Sequence, residues 1–335
     1  MKVAIAGLGR IGKIHLNNLC RNIEGIEVVA AMDILEESSG IAEEYGIKRF
    51  FRNFDEMIEN DEFDALVICS PTDLHAVHVI KAARAGKHIF CEKPLDLSLD
   101  RVQEVLKVVE ECDIKLMLGF NRRFDPEFLK IRKMVLNDSV GDPQIIKITS
   151  RDPGPPPISY IKVSGGIFLD MAIHDFDMAR YISGKEVREV YTAGAVKVDQ
   201  EIGNAGDFDT AVTTLIFEDD TLAVIDNSRK AAYGYDQRLE VFGSKGMVNA
   251  ENNFPNNHRL FTEKGMSGDL PLHFFLERYK ESYQEEMRQF IEALRTDHEM
   301  PVGAKDGLMS IVIGLAATKS AREKRPVKIT EIIAG

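Results

Sequence analysis

The sequence of 335 residues has no tryptophan, few cysteines and none of the long apolar runs of membrane proteins. Its four cysteines, at positions 20, 69, 91 and 112, show no CxxC spacing and no disulfide framework. Reduced thiols in a cytoplasmic protein are therefore expected. No apolar run approaches the roughly 18 residues that a membrane-spanning helix needs. The N-terminus, MKVAIAGLG, also lacks the apolar core and cleavage site of a signal peptide.

The sequence has fewer basic than acidic residues. Lysine and arginine number 42 against 54 acidic residues, which gives a net charge of −12 and argues against nucleic acid or an anionic membrane as the main partner. The eight histidines are scattered, without an HExxH motif or a cluster with cysteine, so we predict no metal. The remaining composition, 44% hydrophobic and 29% charged, is that of a globular chain long enough for two domains.

The N-terminal third opens with a strand, a glycine-rich turn and a helix. Val3–Ala6 is apolar, the motif GLGRIG follows from Gly7 to Gly12, and residues 10–20 have helical character. In this context the glycines allow a tight turn, close approach of the backbone to a pyrophosphate and close helix–strand packing. The helix N-terminus adds amides and a positive dipole end. The motif therefore predicts a dinucleotide site that includes Gly7, Gly9, Arg10, Ile11 and Gly12.

A second strand, Ile26–Met32, leads into Asp33. This residue lies 33 − 12 = 21 positions after Gly12, where an acidic side chain bonds the adenosine ribose hydroxyls. A 2′-phosphate would meet this carboxylate at a cost of about 4 kcal/mol per unit charge, at about 4 Å and an effective dielectric of about 20. No arginine follows to receive such a phosphate, so NAD is predicted over NADP. The alternative is a glycine turn followed by a solvated aspartate.

Strands and helices alternate up to residue 119, which indicates a parallel, doubly wound sheet with its ligand at the carboxyl ends of the strands. One loop at such an end is predicted to line the nicotinamide side of the site. It contains Ser70, Pro71, Thr72 and His75. A histidine satisfied within its own helix explains His75 equally well.

A second loop, CEKP, contains Glu92 and Lys93 at the exit of a strand. Side chains of consecutive strand residues point to opposite faces, so both cannot simply be solvated. The X-Pro bond after Lys93 can be cis. We predict that both residues lie at the cofactor and that Lys93 bonds a substrate hydroxyl. The alternative is a surface lysine at a turn.

From Phe120 onward, strands follow one another without intervening helices. This pattern predicts a second domain with an open, mainly antiparallel sheet. We therefore expect an NAD-binding Rossmann domain over residues 1–119 and a substrate-binding and oligomerisation domain over 120–335. The C-terminal helix, about 306–322, could dock near the first domain. Helix 165–180 would cover one face of the open sheet, and a partner subunit could cover the other.

The stretch GGIFLDMAIHDFDMAR, residues 165–180, has the apolar spacing of a buried helix after a Gly-Gly turn. Asp170 and His174 are four residues apart, so on a helix they share one face, about 5–6 Å apart at Cβ. A carboxylate beside an imidazole fixes its tautomer and raises its basicity. The alternative is a helix whose polar residues only cap it or face water.

Taken together, the motifs GLGRIG, CEKP, GFNRRFD, RDPGPPP, GGIFLDMAIHDFD and YGYDQRLEVFG resemble the Gfo/Idh/MocA oxidoreductase family, in particular its inositol dehydrogenase branch. The likeness runs from residue 1 to about residue 325. It implies a Rossmann domain, an open-sheet domain that pairs into dimers and tetramers, and a catalytic set of Lys93, Asp170 and His174. It also places Arg122, Asp152 and Tyr233 in segments that line the polyol pocket of relatives.

The resemblance implies NAD-dependent oxidation of a cyclic polyol, in the first place of myo-inositol to its 2-keto product. His174 would take the hydroxyl proton, Asp170 would orient the imidazole, and Lys93 would hold the reacting oxygen. One alternative is an enzyme for another inositol isomer or a sugar. Another is a non-catalytic NAD-binding regulator, which predicts loss of at least one of these three residues, and all three are present.

Overall fold

The fold comes from a computed structural model that describes residues 1–60 and 62–334. The chain divides into two compact units, which are described separately. The first consists of Met1–Asn121 with Glu281–Ile311, and the second of Arg122–Lys280 with residues 312–334.

The strands are short, and their bounds follow in chain order. In the first unit they are β1 (Lys2–Ala6), β2 (Glu27–Met32), β3 (Arg49–Phe51), β4 (Ala65–Ile68), β5 (His88–Glu92) and β6 (Leu116–Gly119). In the second they are β7 (Pro143–Arg151), β8 (Val187–Ala195), β9 (Thr210–Phe217), β10 (Leu222–Ser228), β11 (Asp236–Gly243), β12 (Gly246–Ala250), β13 (Arg259–Thr262), β14 (Gly265–Gly268) and β15 (Val327–Lys328).

The helices vary more in length. The first five are α1 (Arg10–Arg21), α2 (Ser38–Glu44), α3 (Phe54–Asn60), α4 (Thr72–Arg84) and α5 (Leu99–Glu111). The others are α6 (Pro126–Leu136), α7 (Ile158–Ile161), α8 (Ile173–Ser183), α9 (Gln200–Asn204), α10 (Phe275–Arg278), α11 (Lys280–Arg295), α12 (Ala304–Glu323) and α13 (Thr330–Ile333). A 3₁₀ turn at Asn121–Phe124 and a π-helical turn at Ile167–Met171 complete the helical segments.

The first unit holds a six-stranded parallel sheet in the order β3-β2-β1-β4-β5-β6. Strands β1 and β4 are buried along nearly their whole length, as expected for strands covered on both faces. The order reverses beside β1, so the crevice at its carboxyl end is the point where such sheets bind ligands. The predicted doubly wound parallel sheet is confirmed.

The second unit holds a seven-stranded sheet in the order β12-β11-β7-β10-β9-β8-β15. All neighbouring pairs are antiparallel except β7 and β10, which run parallel. The predicted open, mainly antiparallel sheet is therefore confirmed. Helix α8 covers its inner face, where Asn227 on β10 donates to Asp175 on α8 at 2.8 Å.

The single helix predicted over residues 165–180 is wrong. The amide of Ala172 donates to the carbonyl of Ile167, five residues back, at 2.8 Å, which closes a π turn. Gly166 precedes it with φ +76°, and the carboxylate of Asp207 accepts from the Ile167 amide at 3.0 Å. A regular α-helix begins only at Ile173. Asp170 and His174 thus belong to two helical segments, and simple i,i+4 geometry does not describe them.

Other differences are smaller. The amphipathic pattern predicts a single helix over 278–295, but the structure has two helices, α10 and α11, with Tyr279 between them. The sequence pattern also predicts a strand over 187–198, but that strand, β8, ends at Ala195. The prediction omitted α2 and β3, which continue the alternation in the first unit. The division between the units does not test the predicted domain boundary, which stays a prediction.

Candidate active site

The glycine turn of the first unit makes a cradle that side chains would fill. Gly7 has φ +94°, and a Cβ there would lie 2.5 Å from the backbone of Cys69. A Cβ on Gly12 would meet the carbonyl oxygen of Gly7 at 1.9 Å, so helix α1 packs directly on the turn. A Cβ on Gly9, just before the helix, would meet no described atom within 4 Å. The turn therefore presents open backbone at the N-terminus of α1, as a phosphate site needs.

Asp33 ties this turn to the end of β2. Its Oδ2 accepts from the amide of Leu8 at 2.6 Å, and its Oδ1 accepts from the amide of Leu35 at 2.9 Å. The carboxylate therefore fixes the turn as well as presenting negative charge beside it. Arg52, not anticipated from the sequence, donates to the carbonyl of Ile34 at 3.1 Å and pairs with Glu36 at 3.1 Å.

His75 joins the two loops predicted at the nicotinamide side. Its ring nitrogens lie 2.7 Å from the carbonyl oxygen of Pro94 and 2.8 Å from that of Ser70. The side chain is buried, and burial lowers its pKa despite these two carbonyls. A neutral ring can donate to one carbonyl only. These contacts tie the ring to both loops, and the predicted place of His75 at the cofactor stays a prediction.

Glu92 and Lys93 leave β5 in different environments. Glu92 Oε1 lies 2.7 Å from His15 Nε2, and Glu92 Oε2 accepts from the Lys93 amide at 3.3 Å. The peptide bond between Lys93 and Pro94 is cis. Lys93 itself is partly buried. Both carboxylate oxygens of Glu92 thus have partners within the protein, the His15 ring and the backbone amide of Lys93.

Asp170 in the second unit is braced by two side chains that the sequence did not indicate. Tyr160 donates to Oδ1 at 2.9 Å, and Arg229 donates to Oδ2 at 3.0 Å. The Arg229 guanidinium is almost fully buried, at 2% exposure, and also lies 4.0 Å from Asp207. Asp170 is therefore a fixed carboxylate in the π turn. His174 is partly buried in the first turn of α8.

The three residues predicted to line the polyol pocket differ in their surroundings. Burial raises the pKa of Asp152 to about 6; Arg229 opposes this shift and Asp170 reinforces it. Arg122 is buried, pairs with Asp175 and donates to Ser150 Oγ at 3.3 Å.

Tyr233 is more exposed, donates to Asp236 and accepts from Arg151 at 3.1 Å. Of these three residues, Asp152 is therefore the one best able to accept a hydrogen bond from a substrate hydroxyl. Arg122 and Tyr233 have protein partners, and their predicted role stays a prediction.

Two family models match this chain. Residues 1–120 match the model described as oxidoreductase family, NAD-binding Rossmann fold, and residues 128–249 match the GFO/IDH/MocA C-terminal domain. The chain belongs to the Gfo/Idh/MocA family. It is an NAD-binding oxidoreductase, which confirms the predictions of an enzyme and of NAD as cofactor.

Individual members of the Gfo/Idh/MocA family match nearly the whole chain. The Thermotoga maritima protein named myo-inositol 2-dehydrogenase is 49% identical, covering 99% of this chain and 100% of the relative. The Rhizobium meliloti inositol 2-dehydrogenase is 45% identical, covering 98% and 99%. The solved Lactobacillus casei scyllo-inositol dehydrogenase with bound NAD(H) and scyllo-inositol has a TM-score of 0.92 at 31% identity, covering 98% and 99%.

The first unit of this Gfo/Idh/MocA oxidoreductase fits NAD. Its glycine cradle leaves no room for a side chain at Gly7 or Gly12, and Gly9 is open. Asp33 stands at the end of the neighbouring strand, where a 2′-phosphate would be repelled. No helix in the described part of the chain is long and apolar enough to cross a membrane.

Proposed function

We propose that this oxidoreductase uses NAD to oxidise a ring hydroxyl of myo-inositol to the 2-keto product, scyllo-inosose. The observation that supports it most is the 49% identity, over the full length of both chains, to a protein named myo-inositol 2-dehydrogenase. When bound, NAD supplies the two-electron acceptor for the carbon that is oxidised. The chain must then hold the polyol, remove the hydroxyl proton and exclude water.

His174 is the proposed general base, because an imidazole can accept a hydroxyl proton near neutral pH. Asp170 stabilises the imidazolium that results. Its own position is fixed by Tyr160 at 2.9 Å and Arg229 at 3.0 Å, so little reorganisation accompanies the proton transfer. Lys93 is proposed to hold the reacting oxygen with a charged donor. These roles are proposals for the individual residues.

Asp152 is proposed to select the substrate by accepting a hydrogen bond from one of its hydroxyl groups. A ring polyol brings donors and acceptors but no charge, so its recognition depends on paired hydrogen bonds. A buried carboxyl group left unpaired costs about 1–3 kcal/mol, which discriminates against a ring whose hydroxyl points elsewhere. Arg229 lowers the pKa of Asp152 against the effect of burial and so favours the accepting, ionised form.

A second candidate substrate is scyllo-inositol, which differs from myo-inositol in the orientation of one hydroxyl. The relative solved with NAD(H) and scyllo-inositol supports it, although its identity to this chain is only 31%. Both candidates use the same proposed residues, so only rates can separate them.

The test is a substrate panel followed by the near-ultraviolet absorbance of reduced NAD. We expect the highest kcat/KM with myo-inositol and NAD, a lower value with scyllo-inositol, and little turnover with glucose or with NADP. Highest activity on scyllo-inositol would favour the second candidate. No turnover of any polyol with either cofactor would contradict the proposed function.

We also propose that the chain works as a homodimer or homotetramer in the cytoplasm. The open sheet supports the assembly, because its outer face carries exposed apolar side chains. They are Ile145, Tyr191, Val212, Leu222, Phe242 and Met247. The four cysteines, all free thiols, support the location.

A further inference from the structure

Three titratable side chains meet inside the first unit, and the proposed reaction does not use them. His15 lies on α1, Glu92 ends β5 and Glu286 lies on α11, with one ligand atom of each within 4.8 Å of the others. Glu286 is fully buried, at 0% exposure. Neither of its carboxylate oxygens has a hydrogen-bond partner among the described residues. Such a group needs a proton or a cation, because an isolated buried charge is strongly unfavourable.

The surroundings of the cluster are apolar. The ring of Phe90 packs edge-on against His15 with centroids 4.9 Å apart, and the ring of Tyr283 does so at 5.7 Å. Among the described residues, the titratable groups nearby include the thiols of Cys69 and Cys91, whose pKa values are raised by burial and further by Glu92. They also include the Tyr283 hydroxyl, the Lys93 ammonium and the His75 ring, which interacts electrostatically with Glu92. Burial and then the charge of Glu92 raise the pKa of Glu286 well above the ordinary value. The pocket thus favours a neutral Glu286 beside an ionised Glu92.

A proton fits the cluster better than a metal ion does. A histidine bound to a metal almost always donates its second ring N–H to a fixed acceptor. In the described residues, Nδ1 of His15 has no such partner. His15 therefore needs only the tautomer that carries its proton on Nε2, 2.7 Å from Glu92 Oε1. Protonated Glu286 adds the O–H donor that pairs its own carboxyl with Glu92.

We propose that Glu286 is held as a carboxylic acid that donates a hydrogen bond to Glu92, and that this bond positions Lys93. Glu92 then accepts from three donors: the His15 ring, the Glu286 hydroxyl and, at 3.3 Å, the Lys93 amide. Glu286 touches neither substrate nor cofactor in this account and is a positioning residue. The importance of Lys93 to turnover rests on the proposed function, but the protonation of Glu286 does not.

The protonation is tested by the pH dependence of thermal unfolding in wild type and Glu286→Gln. A carboxyl that stays protonated when folded binds a proton that the unfolded chain releases above about pH 4.5, so its contribution to stability falls as pH rises. Glu286→Gln has no titrating group at this position, so its stability does not fall with pH for this reason. We expect the Tm of Glu286→Gln minus that of wild type to increase by about 2–4 °C per pH unit between about pH 5 and 8.

The matched control is Glu285→Gln, one residue away on α11, where the carboxylate pairs with Arg288 at 2.7 Å and its pKa is lowered by that bond. The Tm difference between this variant and wild type should not change over the same pH range. A pH-independent difference for Glu286→Gln as well would overturn the proposal. So would a rise in Tm on adding Zn²⁺ to wild type that is absent in Glu286→Gln, because it would show a metal site.

The positioning of Lys93 is tested with a second variant of similar size, Glu286→Leu, which cannot donate. Hydrogen exchange at the Lys93 amide should become faster in Glu286→Leu and stay unchanged in Glu286→Gln, because the glutamine amide still donates to Glu92. This readout needs no substrate, so it can fail independently of the proposed function. Equal exchange in all three proteins would overturn the positioning role.

Turnover provides the kinetic test. A displacement of about 1 Å in a reacting group can cost about a hundredfold. We expect kcat to fall about ten- to a hundredfold in Glu286→Leu with KM for NAD little changed, and to be retained in Glu286→Gln. Equal kcat in both variants would contradict the positioning role even where the Tm measurements support a protonated Glu286.

Discussion

His174 is the residue on which the chemistry depends most directly at the scale of single side chains. His174→Ala should lower kcat by at least about a hundredfold, the low end for loss of a general base, with a smaller effect on KM for NAD. Steady-state kinetics with myo-inositol measure this. The exposed His258, also in the second unit, offers a control, since His258→Ala should leave kcat unchanged. Near-normal turnover in His174→Ala would remove this residue from the mechanism.

Asp152 gives the enzyme a predicted pH dependence in substrate binding. Because burial raises its pKa to about 6, the carboxyl is ionised above that pH and protonated below it. Hydrogen bonds to an ionised acceptor contribute about 1.5–3 kcal/mol, against about 0.5–1.5 for neutral pairs. KM for the polyol should therefore rise about tenfold as pH falls through 6 in wild type.

Asp152→Asn removes the titrating group and so provides the comparison. Its KM should stay near the value that wild type reaches at low pH, so it should exceed the wild-type KM only above about pH 6 and should no longer change around pH 6. An unchanged slope of KM against pH in this variant would assign the pH dependence to another group.

At the scale of residues, some features of the candidate site could be predicted from the sequence and others could not. The glycine turn and Asp33 were predictable because local spacing alone sets their geometry. The partners of Asp170 were not, since Arg229 is 59 positions away and nothing in its local sequence indicates a buried guanidinium. Glu286 was equally hidden, because an amphipathic helix pattern does not show that one acidic position faces inward.

At the N-terminus of helix α6, a single side chain, Asp125, makes both the helix cap and an ion pair. Asp125 caps the helix by accepting from the amides of Glu127 at 3.1 Å and Phe128 at 3.2 Å, with Pro126 in the first turn. The same fully buried carboxylate pairs with the buried guanidinium of Arg278. The cap and the ion pair therefore depend on a single side chain.

Two substitutions separate these contributions. Asp125→Ala should destabilise by about 1 kcal/mol for the cap and by less than the about 3–5 kcal/mol of a fully uncompensated charge, because Arg278 keeps its pair with Glu127 at 3.2 Å. Asp125→Asn keeps an acceptor for the cap and should lose less. Thermal unfolding measures both. An alanine variant as stable as the asparagine variant would show that the cap contributes nothing.

At the scale of elements, long periodic segments were predictable and short or irregular ones were not. The sequence pattern predicts strands over 88–92, 210–217 and 222–228, and the bounds of β5, β9 and β10 agree with it to the residue. Strand β3 is only three residues long and carries too little alternation to be seen. The π turn at Ile167–Met171 was missed because its apolar spacing resembles that of an α-helix, while the contact that accompanies it comes from Asp207, far along the chain.

At the scale of the whole molecule, the outer face of the second sheet is an apolar surface that no described segment of the chain covers. The outer face of the second sheet exposes Val212 at 49%, with Tyr191 and Phe242 each at 45%. The strand register also places Met247, Phe242, Ile145 and Leu222 side by side on this face, and contiguous exposed apolar surface of this kind marks association sites. Wild type should therefore sediment as a dimer or tetramer.

Phe242→Lys should shift that assembly toward the monomer, because it places a charge between Met247 and Ile145 in the exposed apolar row. Analytical ultracentrifugation measures the mass. Val163→Lys, at a 67% exposed position outside the strands, is the control and should leave the mass unchanged. A monomeric wild type would contradict the proposed assembly.

The central step of the proposed function is direct transfer of hydrogen to NAD from the carbon that bears the oxidised hydroxyl. The most direct measurement is the mass of the reduced cofactor after turnover of myo-inositol deuterated at carbon 2. We predict reduced NAD that carries one deuterium, together with a slower rate than for the undeuterated substrate if this step limits turnover. Reduced NAD without deuterium, or no reduced NAD at all, would contradict the account.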